Sequence, residues 1–365
     1  MNHREESFLR LGLVLAGGGS RIRRLVAEAS SGQPLVTSLS EGGAPRALLD
    51  TAVKLANAEA KTAVERMTRA GWRWLIPGDD QYPGLLAATS DPPMGLFVRG
   101  HLDDRPAVAI VGSRKATPYG LQVARLLGEE LGNAGVVVVS GMARGVDEAA
   151  HRGALAASGQ SWAVWGTGPD RIYPPEHGDL AEELAANGAL ITEYPPGTPA
   201  RKHHFPERNR ILAGLARATV VVEAAARSGA LITARLAMEE GREVLAVPGN
   251  IFSELSVGPN TLLRVGARPL LTPRDLFDAI GHQPPAETGS DPEQGLLCFI
   301  GVGEAVTADE IAARAGIAVG EALGHVLALE LAGEISRLAD GRYSRVRAPG
   351  GRKNAPGGRK NRATD

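Results

Sequence analysis

The sequence predicts an α/β fold: a Rossmann-like, doubly wound, mostly parallel sheet, with a helical N-terminal domain before it and a C-terminal winged helix after it. Three observations carry the central part. Six apolar, β-branched runs, Ala107–Val111, Val136–Ser140, Trp162–Trp165, Ala189–Thr192, Thr219–Val222 and Glu243–Val247, are continuous rather than alternating, as strands buried on both faces of a parallel sheet are. Helical stretches such as Gly120–Gly132, Val146–Ser158 and Leu231–Gly241 connect several of them, and strands joined by helical crossovers wind into an open sheet. Right-handed crossovers then gather the loops that follow the strand ends on one edge, where ligands bind.

The bulk numbers set limits. At roughly 100–200 residues per domain, 365 residues make room for two or three. Hydrophobic residues are 43% and charged residues 22%, ordinary for a soluble globular protein, and with aromatics at 4% the core is filled by Ala, Leu and Val. The formal net charge is −1, so a nucleic-acid site has to come from local clustering of cations. Cys298 is the one cysteine, which excludes an intramolecular disulfide and a Cys-based metal cage and fits a reducing cytoplasm. Within Leu296-Leu297-Cys298-Phe299-Ile300 it reads as a buried, inert thiol. Leu11 to Ala16 is too short and too acidic upstream for a signal peptide, and no stretch approaches the roughly 20 apolar residues of a membrane span.

Taken in order, residues 1–80 form a helical domain, with helical spacing in Phe8–Ala16, Arg21–Ala29 and Arg46–Ala70. Gly17-Gly18-Gly19-Ser20 reads as a loop and helix cap, or as a glycine hairpin offering N–H groups to a phosphate. Trp72–Pro77 and Asp91-Pro92-Pro93 lead into the sheet domain, 81–280. Residues 281–294, polar with three prolines, are a linker. The winged helix is assigned to 295–347. Thr307 and Glu310 form a capping box before the helix Ile311–Ala315, a helix Val319–Ala332 follows Gly316, and Glu334–Leu338 and Arg342–Val346 flank the turn Ala339-Asp340-Gly341 as a wing. Its second helix offers Glu321, His325 and Glu330 but no Arg or Lys, which favours contact with protein over duplex reading, although Arg337, Arg342 and Arg345 of the wing keep the duplex reading open. The tail, 348–365, repeats Gly-Gly-Arg-Lys-Asn and is expected to be disordered and basic.

Four strand ends share one chemistry. Ile110-Val111 runs into Gly112-Ser113-Arg114, Val139-Ser140 into Gly141-Met142-Ala143-Arg144-Gly145, Val164-Trp165 into Gly166-Thr167-Gly168, and Val222-Glu223 is followed by Ser228-Gly229 and Thr233. Glycine lets backbone approach a ligand, and a helix start after it points free N–H groups at an anion. Ser113, Ser228 and Thr233 add hydroxyls, and Arg114 can fork a phosphate. No G-x-G-x-x-G and no G-x-x-x-x-G-K-[ST] occurs, so neither a dinucleotide nor a Walker-type ATP site is expected, and no cofactor is. The segment Arg201–Arg210 (RKHHFPERNR) places four cations around Phe205 and Asn209. Cations track a phosphate backbone and an aromatic stacks on unpaired bases, so the loop reads as a single-stranded DNA contact.

These segments, with Asp147 and His151 after Gly145, Phe205-Pro206-Glu207-Arg208-Asn209-Arg210, Ser228–Ala234 and Val247-Pro248-Gly249, resemble the DprA/Smf family of DNA-processing proteins from about residue 82 to about 270. The resemblance implies a SAM-like, helix-hairpin-helix-like N-terminal domain, a Rossmann-like core that binds single-stranded DNA, and a C-terminal winged helix. It also implies a cytoplasmic homodimer that protects the strand and loads RecA onto it in competence and natural transformation. Carried onto this sequence, the site is Gly112, Ser113, Arg114, Arg144, Lys202, Phe205, Arg208, Asn209, Arg210, Ser228, Gly229 and Thr233. Trp165 departs from the family's more common aliphatic residue.

The alternative is a nucleotide-hydrolysing enzyme on a related Rossmann-like fold. Its P-G-G-x-G-T-x-x-E loop would fall on Arg227–Thr233, which has neither those glycines nor the Glu. Asp147 and His151, at i and i+4, could form an acid/base pair, or be a helix-start carboxylate and a packed imidazole. Glu223 reads as a brace for the loops. The histidines show no metal-ligand spacing, and no catalytic residue is assigned.

Overall fold

The structure, a computed structural model, describes residues 3–29, 33–283, 296–297, 299–301, 304–331, 333–338 and 340–345. Linker residues 284–294, residues 295, 298 (the cysteine), 346 and 347 of the segment assigned to the winged helix, and the tail 348–365 lie outside the described residues. Two compact units divide the chain, Met1–Gln283 and Pro284–Asp365.

The N-terminal helices are α1 (His3–Leu15), α2 (Ser20–Glu28), α3 (Leu35–Glu41), α4 (Arg46–Leu55) and α5 (Lys61–Arg69), with a π-helical turn Ala56–Ala60 between the last two. Gly19 is the N-cap of α2, the plain capping role. These helices do not stand apart from the sheet. Leu11 of α1 is buried in one cluster with Trp72, Trp74 and Trp165, and Trp74 donates from its ring nitrogen to the Ser7 carbonyl at 3.1 Å. Apolar surface on Trp72 and Trp74 is what closes the gap expected near residue 80.

Nine strands make the sheet: β1 (Arg73–Leu75), β2 (Leu96–Gly100), β3 (Ala107–Val111), β4 (Val137–Ser140), β5 (Ser161–Val164), β6 (Gly188–Thr192), β7 (Ala218–Val221), β8 (Glu243–Ala246) and β9 (Arg268–Pro269). Their order is β1-β2-β6-β5-β4-β3-β7-β8-β9, parallel from β6 to β9, with β1 and β2 antiparallel at one edge. All six predicted runs are strands, within a residue of the expected bounds. Ala109 pairs with Val139 on one side and Thr219 on the other, which places β3 in the interior. β-branched side chains alternate between two buried faces, as the pleat requires.

The remaining helices of this unit are α6 (Gly84–Ala87), α7 (Pro118–Asn133), α8 (Val146–Ala156), α9 (Gly178–Asn187), α10 (His204–Leu215), α11 (Gly229–Glu239), α12 (Val257–Arg264) and α13 (Pro273–Ile280). Val111, Val139, Trp162 and Val221 pack on one face against Ile211, Leu212 and Leu215 of α10 and Ala230, Ala234 and Ala237 of α11. Val108, Ile110, Val138 and Val220 pack on the other against Leu127 and Leu131 of α7, Ala150 and Ala154 of α8, and Phe277 of α13. From β3 the chain steps outward through β4 and β5 to β6, then α10 carries it back across to β7 on the far side of β3. The switch point, where loops diverge and open a crevice, is therefore between β3 and β7.

In the second unit, α14 (Ala308–Ala315) starts at the Thr307–Glu310 capping box, α15 (Val319–Leu331) follows, and β10 (Ile335–Arg337) pairs antiparallel with β11 (Tyr343–Arg345). Ile311, Val326, Leu329, Ile335 and Tyr343 make its core. This is winged-helix order, as expected.

Helices α7 and α8 touch backbone to backbone. A Cβ on Gly128 would lie 2.3 Å from the Ala150 carbonyl oxygen, and one on Gly153 2.1 Å from that of Arg125. Neither oxygen can swing away without breaking its own helix. Gly128→Val is therefore expected to cost about 3 kcal/mol or more, read as a lower urea midpoint with an unchanged m-value.

Candidate nucleic-acid interface

A cleft of about 510 Å³ opens at the switch point. Its first wall is the loop after β3. Gly112 has no room for a side chain, since a Cβ would meet Val146 Cγ2 at 2.5 Å, and the Val146 N–H donates to the Ser113 carbonyl at 3.2 Å. Gly145, at φ +80°, completes this close approach, with the Ser113 oxygen 2.3 Å from where a Cβ would be. The result projects Arg114 outward, exposed. Glu223 fixes the far end of the same loop. Buried at the end of β7, its carboxylate accepts from Thr117 N at 2.8 Å and Thr117 Oγ1 at 2.5 Å, and Thr117 caps α7. Glu223 is a brace, as the sequence suggested.

The second wall is α10. Residues 201–210 were expected to form a loop, but only Arg201-Lys202-His203 precede the helix that begins at His204. The concentration of charge hides an apolar face formed by Ile211, Leu212 and Leu215, and a helix turns its residues through successive directions. The segment therefore does not present all its cations together. Lys202 is exposed and lines the cleft, and Phe205 is half-buried beside it. The Arg114 guanidinium lies over the Phe205 ring at 4.9 Å, and the Tyr173 ring stands 5.4 Å away, tilted by 41°. Tyr173 was not singled out in the sequence. Its signal is slight, one aromatic in Arg171-Ile172-Tyr173-Pro174 after the glycine loop that ends β5.

Arg208 and Asn209 line the cleft from its buried side, whereas Arg210 is not among its lining residues. Arg208 is 3% exposed, and its guanidinium donates to the Val164 carbonyl beneath the cleft. Gly141 separates it from Asp147: a Cβ there would fall 2.5 Å from the Arg208 guanidinium and 2.7 Å from Asp147 Oδ2. Asp147 accepts from the N–H groups of Gly141 at 3.1 Å and Ala143 at 3.4 Å. Burial pushes the Asp147 carboxyl up and the Arg208 guanidinium down to about 10, each opposed by the other's charge. The Asn209 amide donates to the Gly229 carbonyl at 3.2 Å, with Thr233 Oγ1 3.5 Å from that oxygen, so both hold the first turn of α11. Arg210 turns away to Glu193 and to Asp91, at 3.4 Å from the latter, and Asp91 also takes both arms of Arg23 from α2 at 2.7 and 2.8 Å.

The third wall is the N-terminus of α11. Ser228 is its N-cap, accepting from Ala230 N at 3.3 Å, and Gly229 is exposed with open space where a side chain would be. The Gly229 N–H and the helix dipole make this turn an anion cradle facing Arg114 and Lys202 across the cleft. Arg144 is exposed in a small adjoining hollow shared with Arg114, Tyr173 and Phe205, and is paired with Glu176.

The Asp147–His151 pair does not form. His151 is wholly buried, with Nδ1 2.7 Å from Ser161 Oγ, which in turn donates to the Val138 carbonyl at 2.9 Å. Burial pushes the imidazole down to about 3, so it is neutral and packed. Among the described residues no single helix is long and apolar enough to cross a membrane.

Residues 73–281 match the family model of DNA recombination-mediator protein A, and residues 277–341 that of the DprA winged helix domain. Protein Smf of Escherichia coli (strain K12) is 40% identical over 291 residues, covering 75% of this chain and 77% of that protein. The X-ray structure of DNA processing protein A from Streptococcus pneumoniae superposes with a TM-score of 0.67 at 34% identity, over 74% of this chain and 97% of that one. DNA processing protein A from Helicobacter pylori, solved for its single-stranded DNA binding mode, gives 0.52 at 28% identity, over 58% of this chain and 98% of that one.

His151 makes a test of the packed reading. Its folded-state pKa, about 3, lies below its unfolded value, so the stability it contributes is present above the unfolded pKa and is lost progressively as pH falls toward the folded one. Between pH 7 and pH 5 the loss from this one group is about 2 kcal/mol. His151→Gln should flatten that part of the stability–pH curve in denaturant titrations; an unchanged acid limb would show that His151 is not buried neutral.

Proposed function

This chain belongs to the DNA recombination-mediator protein A family, the DprA/Smf DNA-processing proteins, and on that premise we propose that it binds single-stranded DNA in the switch-point cleft. It would protect the strand and load RecA onto it in natural transformation, acting as a cytoplasmic homodimer with no catalytic turnover of its own. The observation that carries the reading is Phe205, a half-buried ring beside the Arg114 guanidinium and across the cleft from the start of α11. A base arriving on Phe205 displaces the guanidinium, which then forks a phosphate; stacking and ion pairing form in the same event. Lys202 and the Gly229 N–H at the start of α11 take the neighbouring phosphates. Arg208, Asn209 and Thr233 work at one remove, holding α10 and α11 in register, and Arg210 anchors α10 to Asp91 and Glu193. Ser113 and Gly112 shape the loop, and Arg144 joins the path when it leaves Glu176.

The winged helix is proposed to meet protein rather than duplex. Helix α15 exposes Val319, Leu323, Leu327 and Leu331, one every four residues, while Arg342 of the wing is paired with Asp340 and Arg337 lies over Tyr343 at 5.9 Å. That apolar stripe suits a protein surface better than a phosphate groove.

Fluorescence anisotropy with labelled oligo-dT and matching duplex, over a salt series, tests the site. Phe205→Ala is expected to weaken single-strand binding roughly 5- to 150-fold, the equivalent of about 1–3 kcal/mol for one stacked base. Arg114→Ala with Lys202→Ala should reduce the log–log salt slope by about 1.4, at about 0.7 per phosphate lost. Affinity and slope that survive both changes would remove the cleft as the site, and turnover of free nucleotides by the purified protein would favour the hydrolase reading instead.

A further inference from the structure

The loops that wall the Phe205 cleft run on past it and enclose a second hollow of about 580 Å³ on the same edge of the sheet. The loop after β3 gives Arg114 to the first and Thr117 to the second, where the first turn of α7 adds Tyr119; the chain after β7 gives Ala225 to the first and Glu223 to the second. The chain after β8 gives Leu255 to the first, and Asn250, Ser253 and Ser256 to the second. One strand of nucleic acid could therefore follow the three loops from one hollow into the other.

Between Asn250 and Ser253 sit the two most water-exposed large apolar side chains among the described residues of this unit, Ile251 at 80% and Phe252 at 90%, and Tyr119 in the first turn of α7 is 50% exposed. The loop that holds them out is tied down. Asn250 Oδ1 accepts from the Phe252 N–H at 2.9 Å, the Asn260 amide clamps Gly249 through its N–H at 3.2 Å and its carbonyl at 3.0 Å, and the Tyr119 hydroxyl donates to the Pro248 carbonyl at 3.2 Å. Gly249 is pressed on Ser256, whose Oγ is 2.2 Å from where a Cβ would be. A fixed loop that presents an aromatic ring to water is built like a platform and not like a flap. Thr117, Asn250, Ser253 and Ser256 bring polar groups to a lining whose exposed surface is mostly apolar, a mixture that suits the face and the edge of a base. At its floor the Glu223 carboxylate disfavours phosphate, while Lys115, exposed between Arg114 and Thr117, offers a cation outside.

We propose that Phe252 and Tyr119 form a second stacking platform for the same single strand, which leaves the Phe205 cleft past Ala225 and Leu255 with its bases toward the two rings and its phosphates toward Lys115. This rests on the single-stranded DNA reading of the first cleft, and it makes the site longer than that cleft alone.

The test is anisotropy on the full chain with oligo-dT of about 6 and about 18 nucleotides, bracketing the ~4–16 nucleotides that single-strand grooves accommodate. Phe252→Ala with Tyr119→Ala should weaken the longer oligonucleotide by at least about 5-fold, the low end for one lost stacked base, and leave the shorter one unchanged; Phe205→Ala should weaken both. A Phe252→Trp variant adds a direct readout. The four native tryptophans are all buried, so quenching of the new exposed indole by the longer oligonucleotide, and not by the shorter, reports contact at this position. If the Phe252/Tyr119 variant binds both lengths like wild type while Phe205→Ala weakens both, the platform is overturned and the cleft stands. If Phe205→Ala also has no effect, both readings fail. A variant whose DNA affinity is intact but whose mass by light scattering has halved would assign the ring to a protein interface and overturn the proposal in that way.

Discussion

Arg208 keeps its charge where water hardly reaches. An ionised group in that position is tolerable only if dipoles and an opposing charge surround it, because removing one partner of a buried pair typically costs about 3–5 kcal/mol. Here the Val164 carbonyl ends β5, Asp147 opens α8, and Gly141, after β4, keeps the space between the two charges free of side-chain atoms. Three elements and α10 thus meet at one guanidinium. Phe205, three residues earlier on α10, inherits its position from that anchor, and so does Asn209, which sets the first turn of α11 through the Gly229 carbonyl. The walls of the cleft are held from beneath, by Arg208, Asp147 and Asn209, buried groups that also line its inner surface.

Charge above this floor is distributed in a way that the net value of −1 conceals. Several arginines of the first unit are held in ion pairs: Arg10 with Glu6, Arg99 with Glu182, Arg105 with Asp103, Arg152 with Glu148. Arg114 and Lys202 join no ion pair among the described residues. A cation already neutralised by the protein releases little on meeting phosphate, whereas an unpaired one attracts it at full strength. Arg114 and Lys202 are thus among the cations that the protein leaves unneutralised, and both line the cleft.

Much of this was legible before any coordinates. The six parallel strands announce themselves because burial on both faces leaves no polar positions to blur them. Gly112-Ser113-Arg114 and Ser228-Gly229 could be read as ligand loops because glycine at a strand end admits close approach. Other features were hidden for identifiable reasons. Helix α10 was read as a basic loop, since its charges sit in its first two turns and its apolar residues follow. The burial of Arg208 and the turning of Arg210 toward Asp91 depend on partners more than 40 and 100 residues away in the chain, which local pattern cannot supply. β2 is a five-residue strand between β1 and β6 with only three consecutive apolar residues, and Tyr173 is an isolated aromatic whose meaning comes only from the ring it faces.

Helix α10 also returns the chain across the sheet, from β6 on one side of the switch point to β7 on the other. Its first turn bears Phe205, while Ile211, Leu212 and Leu215 further along are sunk among the side chains of the sheet. On the proposed reading, a pull on a base stacked at Phe205 would not be borne by a loop that can stretch. It would pass along a rigid rod into the middle of the hydrophobic layer, where yielding means unfolding the unit. The protein would grip a strand under tension with the mechanical strength of its whole core, and let go by exchange of stacking and ion pairs at the surface instead of by deformation of the fold.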